Sequence, residues 1–218
     1  AGAMRFAMLV HETIEDIHRA ALRKEENTIT KENVKTWFEV NYASISRTEH
    51  TYLAEPQREA ALNQVLRYVE RQKGDWSLIQ QAEVDVSLVK SDYIIEGKVD
   101  LVKGENGTVE IVDFKSEKKP DLIKHADRLE QYRRQLHIYA HLIEERTGQK
   151  VSKMHLYYTG EENGIPTITY PYTKTAVEGT IAAFDETVHK IMKKDFRKCS
   201  NDMKVCKNCD FRFYCQNQ

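Results

Sequence analysis

The chain has 218 residues, enough to bury a core as one domain of ordinary size. Its 40% apolar and 31% charged content, with only four prolines, excludes a disordered or fibrous polymer. A formal net charge of −1 excludes a global basic field, so any site for a polyanion must be local.

No apolar run approaches the roughly 20 residues of a membrane span, and no signal peptide opens the sequence; a cytoplasmic protein is expected. Residues 1–4, AGAM, read as a cloning remnant, which implies a longer native chain. From Arg5 to about Lys24, Phe6, Val10, Ile14, Ile17 and Ala21 recur at helical spacing, with His11 and His18 beside that stripe. A second helix is predicted around Lys31 to Ser44, and a third from about Gln57, after Pro56, to Lys73. The period then changes: Ala82, Val84, Val86 and Leu88 alternate with polar residues as in a strand. Strands over Tyr93 to Val102 and Thr108 to Lys115 follow, joined by the hairpin signal KGENG, so three consecutive strands should pair antiparallel. A long helix from Asp127 to Arg146 ends at Thr147-Gly148. Two short strands, KMHLYYT and TITYPY, and a helix from Thr175 to Lys194 complete the pattern. The order predicts an α/β (α+β) domain with helices flanking a mixed central sheet.

Alternation puts residues i and i+2 of a strand on one face, so Asp113 and Lys115 hold an acid and a base side by side. Asp100, one strand earlier, can bring a second carboxylate to the same sheet edge if the register allows. Such a pair suits a hard cation, Mg²⁺ or Mn²⁺, and metal-assisted phosphodiester hydrolysis. By itself an Asp-x-Lys triplet is most often an ordinary exposed strand face. All four cysteines, Cys199, Cys206, Cys209 and Cys215, fall in the last 20 residues and form one feature, which in a cytosolic chain points to metal binding more than to disulfides.

The run GKVDLV, then VEIVDFKS, then QLHIY on the next helix, with LVHETIEDIH near the start, resembles the RecB-type branch of the PD-(D/E)xK nucleases. The resemblance implies a restriction-endonuclease-like core over residues 5–198 and a cysteine-cluster tail over 199–218. It implies a metal site of His11, Asp100 and Asp113, with Lys115 as the catalytic lysine. Gln135 and Tyr139, one turn apart, would support the site and contact DNA; Gln131 either extends that contact or is a solvated helix residue. Glu83 is either a group supporting the site or an ordinary strand-face glutamate. Lys118, Lys119, Lys124, Arg128, Arg133 and Arg134 either position phosphates or form a solvated surface. His18, His137 and His141 match no position of the family and are read as structural.

The last three cysteines, in CKNCDFRFYC, look like the C-terminal half of the iron-sulfur staple found in AddB-type helicase-nucleases and in nucleases of CRISPR adaptation. A 4Fe-4S cluster is expected, with zinc or free thiols as alternatives. The family's usual upstream fourth cysteine is missing, so either Cys199 replaces it or that ligand lay in a removed N-terminus, leaving the cluster labile or absent. The function implied is a metal-dependent deoxyribonuclease, acting as an exonuclease. It would be the nuclease part of a UvrD/Rep-like or AddB-like helicase-nuclease in DNA repair and recombination, partnered by DNA and by helicase domains or a helicase subunit. The alternatives are a catalytically silent DNA-binding module, a free-standing CRISPR-adaptation nuclease, or an iron-sulfur carrier, the last leaving the acidic motifs unexplained.

Overall fold

A computed structural model of the protein describes residues 2–50 and 52–195. The cysteine tail, and with it every expectation placed on Cys199, Cys206, Cys209 and Cys215, lies outside them. Among the described residues, helices α1 (Gly2–Leu22), α2 (Lys31–Glu49) and α3 (Glu55–Gln72) precede strands β1 (Ile79–Val89), β2 (Ile94–Glu105) and β3 (Thr108–Lys115). Helix α4 (Ala126–Thr147) leads to β4 (Lys150–Tyr158), β5 (Thr167–Pro171) and α5 (Lys174–Met192). Order and type follow the sequence pattern, with ends displaced by a few residues; α1 begins inside the stretch read as a cloning remnant. The chain divides into two compact units, Ala1–Val177 and Glu178–Gln218, and the sheet belongs to the first.

Local chemistry accounts for the boundaries. The Thr30 side chain accepts a hydrogen bond from Asn33 N at 3.2 Å and caps α2. Pro56 sits in the first turn of α3, where its missing N–H is harmless. Between β2 and β3 only Asn106 and Gly107 remain, at φ 57° and 82°. Those left-handed angles suit a two-residue hairpin turn, whose twist matches the strands.

The sheet runs β1-β2-β3-β4-β5 and is mixed. Strands β1, β2 and β3 are antiparallel in succession, β3 pairs parallel with β4, and β5 returns antiparallel. The parallel step needs a crossover, and α4 provides it. One face is covered by α1–α3: Val10, Ile14, Ile17, Phe38, Val65 and Tyr68 close over Leu101, Val112, Phe114 and Tyr157. Helix α4 contacts β1, β3 and β4 with Leu136, Ala140 and Ile143 buried outside that cluster. Central β3 is therefore covered on both sides: Ile111, Val112, Asp113 and Phe114 are all buried. An aspartate in the interior of such a strand is not an ordinary solvated face.

Candidate active site

The register brings the two aspartates together. Leu101 pairs with Val112 across β2 and β3, so Asp100 and Asp113 stand one step beyond that pair on neighbouring strands. The Asp100 carboxylate accepts a hydrogen bond from the Phe114 backbone N–H, 2.7 Å from its Oδ2. Lys115 Nζ lies 2.7 Å from Asp113 Oδ2 as an ion pair. That approach is not aligned as a hydrogen bond, and among the described residues the buried oxygen has no other donor.

Glu83 extends the row. Ala82 pairs with Leu101 and Val84 with Val99, which sets Glu83 across from Asp100 on β1. Its backbone is left-handed, at φ 49°, in mid-strand. Its carboxylate holds Lys98 at 2.8 Å.

Helix α1 supplies His11 from the other side. The Phe114 backbone lies close enough to its ring to favour the protonated form slightly. Burial nevertheless holds His11 below the usual imidazole value, against the opposing pull of Asp113 and Glu83. Burial and the neighbouring Asp113 charge push the Asp100 carboxyl up, to about 7. Burial also works against the Lys115 ammonium, but Asp113 overcomes it and holds that group above its ordinary value.

Helix α4 provides a roof. The Tyr132 ring lies 4.1 Å under Lys115 Nζ as a cation–π partner. One turn on, Gln135 Nε2 donates to the Tyr139 hydroxyl at 2.9 Å. Tyr139 reaches β2, where Gly97 makes room for it; a Cβ there would meet the ring at 2.9 Å. Beside these residues opens a cleft of about 740 Å³, with His11, Phe114, Lys115 and Tyr132 on its walls.

Not every predicted residue converges. Among the described residues no group of three His, Cys, Asp or Glu side chains closes to metal-holding distance, so His11, Asp100 and Asp113 surround the site without meeting at one point. Gln131 is exposed. Of the six cations read as phosphate contacts, four already face carboxylates: Lys118 with Glu162, Arg128 with Glu117, and Arg133 and Arg134 with Glu130. Lys119 donates to the Ile165 carbonyl at 3.2 Å. Two participants escaped the sequence reading. Tyr132 had a legible signal, since it lies three and seven residues before Gln135 and Tyr139 and so on their helix face. The peptide of Phe114 had none, because a backbone contact leaves no mark in residue type.

A model of the PD-(D/E)XK nuclease superfamily matches residues 6–216. The chain belongs to that superfamily. Among solved structures, a candidate exonuclease from Eubacterium rectale shares 14% identity at a TM-score of 0.55, over 96% of this chain and 74% of its own. At that identity the likeness shows a common fold. The protein SSO0001 is 16% identical, with 93% of this chain and 95% of its own covered, at a TM-score of 0.39. No curated protein matches. The span matched in this PD-(D/E)XK nuclease takes in Asp113 and Lys115, the paired residues at the end of β3.

Proposed function

We propose that this PD-(D/E)XK nuclease is a divalent-metal-dependent deoxyribonuclease, of exonuclease type, and the nuclease part of a UvrD/Rep-like or AddB-like helicase-nuclease acting in DNA repair and recombination. One observation carries the metal-dependent reading: Asp113 Oδ2 is buried with no aligned donor, one strand from a second carboxylate whose ionisation burial and Asp113 disfavour. Two carboxylates held apart from water in this way fit a hard cation, which would supply the positive charge that neither finds in full from the protein. His11, Asp100 and Asp113 would hold Mg²⁺ or Mn²⁺.

A bound cation polarises the phosphodiester and makes water a better nucleophile at neutral pH. The chain's own residues do the rest. Lys115, kept charged by Asp113 and flanked by Tyr132, presents mobile donors at the cleft wall, placed to neutralise charge developing on a phosphate. The Gln135–Tyr139 pair would line the path of the DNA strand. Retention of all these groups favours an active enzyme over a silent DNA-binding module.

The family match runs through the cysteines to residue 216. We assign Cys206, Cys209 and Cys215, with Cys199 as the fourth thiolate, to a structural 4Fe-4S cluster; zinc is the alternative, and metal analysis of anaerobically purified protein separates them.

The primary test is cleavage of end-labelled linear DNA and of closed circular single-stranded DNA with Mg²⁺, with Mn²⁺ and with EDTA, alongside Asp113→Ala. The expected result is metal-dependent loss of linear substrate that disappears in the variant, with the circle spared. Cleavage that persists in EDTA or in folded Asp113→Ala would refute the assignment.

A further inference from the structure

Behind the site lies a buried polar pair that the nuclease chemistry does not use. His18 Nε2 and the Tyr68 hydroxyl are 2.5 Å apart, and both side chains are buried in the core under α1 and α3. Burial pushes the His18 ring down, and burial with a smaller contribution from Tyr157 pushes the Tyr68 hydroxyl up, so both are neutral. In that state Tyr68 O–H donates and the imidazole Nε2 accepts. Two apolar side chains would fill the same volume without any polar group to satisfy. What the pair adds is orientation, because a directional bond fixes both ring planes where apolar contacts allow several.

Those ring planes form the slot that holds Phe114. Its ring lies 5.5 Å from His18, 5.3 Å from Tyr68 in a T-shaped contact at 89°, and 5.4 Å from Tyr157. Tyr68 is itself braced edge-on by Trp76 at 6.0 Å and by Tyr157 at 5.4 Å. Phe114 is also the residue between Asp113 and Lys115, with its N–H on Asp100 and its backbone beside His11. Helix α1 thus grips one residue twice. His18 lies against the ring and His11 beside the backbone, and their seven-residue separation, about two turns, keeps both on one helix face.

We propose that the His18–Tyr68 pair is a positioning device for the metal site: it sets the Phe114 ring and thereby the peptide that spaces Asp100 and His11 about Asp113. The inference rests on the nuclease reading above. Neither His18 nor Tyr68 touches substrate or metal; they act through Phe114. A shift of that peptide moves one ligand on each side of the site.

The test is calorimetric titration of Mn²⁺ into the full chain and into Tyr68→Phe, His18→Gln, Val65→Ala and Asp113→Ala, with melting temperatures measured in EDTA. Tyr68→Phe removes only the hydroxyl and is expected to weaken Mn²⁺ binding about tenfold, the scale on which supporting bonds behind metal ligands act. His18→Gln keeps an acceptor for Tyr68 and should bind Mn²⁺ more tightly than Tyr68→Phe. Val65→Ala empties part of the same core on α3 while leaving both partners of the hydrogen bond in place, and is expected to lower the melting temperature while leaving Mn²⁺ affinity unchanged. An equal loss of affinity in Val65→Ala and Tyr68→Phe would reduce the pair to general stability and overturn the proposal. An Asp113-dependent Mn²⁺ signal unmoved by Tyr68→Phe would overturn it alone. Mn²⁺ binding that Asp113→Ala leaves intact would overturn the metal-site reading, and this inference with it.

Discussion

Asp100→Asn separates what the site needs from what the fold prefers. In the metal-free protein the Asp100 carboxyl is raised from 3.8 to about 7 by burial and by Asp113. At about 1.4 kcal/mol per pH unit, the folded state at pH 8 carries an ionisation penalty of up to about 4 kcal/mol. Asparagine is nearly isosteric, removes the charge, and keeps an oxygen for the Phe114 N–H. Loss of the charge-assisted part of that bond costs about 1 kcal/mol, and relaxation around a coupled pair takes a similar amount. A net gain of about 2 kcal/mol remains, a rise of about 4–8 °C in melting temperature for a chain of this size. The sign follows from linkage. Below 3.8 the carboxyl is protonated in both states and contributes nothing; as pH rises from 3.8 to about 7 the folded state progressively loses stability. The variant should therefore melt higher at pH 8 in EDTA and level with its parent near pH 4. In saturating Mn²⁺ the order should reverse, since ligand binding to the folded state stabilises only the protein that can bind. A variant melting at or below its parent at pH 8 in EDTA would refute the electrostatic argument.

Three further outcomes follow from the same geometry. Lys115→Met leaves the Asp113 carboxylate buried without its cation and should destabilise by about 2–3 kcal/mol, at the lower end for broken buried pairs because Lys115 is partly solvated, and cost at least about a hundredfold in cleavage rate; denaturant titration and single-turnover kinetics check both, and unchanged stability would show the pair to be idle. Gly97→Ala places a Cβ 2.9 Å from the Tyr139 ring, so the ring must swing off Gln135; KM for DNA should rise several-fold with kcat changed less, and an unaltered KM would remove Tyr139 from the DNA path. His18 is held at about 3 against an ordinary 6.5, so its stability contribution is complete above 6.5 and lost as pH falls from there toward 3. Asp100 has the opposite slope over much of that window, so the acid-side decline should be clearest in Asp100→Asn, at up to about 1.4 kcal/mol per pH unit; a flat melting profile between pH 6.5 and 4.5 in that variant would contradict it.

The fold was legible where the hydrophobic period changed. Helical spacing from Phe6 to Ala21 gave way to alternation from Ala82, and Asn106-Gly107 and Gly148 marked turns whose left-handed angles the structure bears out. Asp113 and Lys115 were legible as a same-face pair because strand parity needs no tertiary knowledge. Burial of Asp113 was not, since it depends on α1–α3 and α4 covering both faces of β3. The basic residues on α4 were visible as charges but not as partners, and Glu130 holding two arginines emerges only once the helix is built. His18 was assigned to structure from sequence, and it is indeed fully buried; its link to the site passes through an aromatic ring and a peptide bond, neither of which has a motif.

Glu83 is where fold and site are most plainly at odds. A non-glycine residue at φ 49° in mid-strand costs about 1–3 kcal/mol and persists only where its surroundings over-determine it. Its ion pair with Lys98, which is half exposed, returns less than about 1 kcal/mol. Its charge meanwhile raises Asp100 and so opposes ionisation of a neighbour already disfavoured by burial. None of this serves the metal-free fold, which points to a role for the side chain in the row Glu83–Asp100–Asp113. Glu83→Gly removes the strain and the repulsion together, and should raise the melting temperature in EDTA by about 2–4 °C per kcal/mol recovered. Glu83→Ala keeps the strained backbone and should gain less. Both should weaken Mn²⁺ binding if the carboxylate helps to hold or balance the cation. Should Glu83→Gly melt lower than Glu83→Ala, the left-handed backbone is not under strain; should both bind Mn²⁺ like the parent, the glutamate belongs to the strand and not to the site.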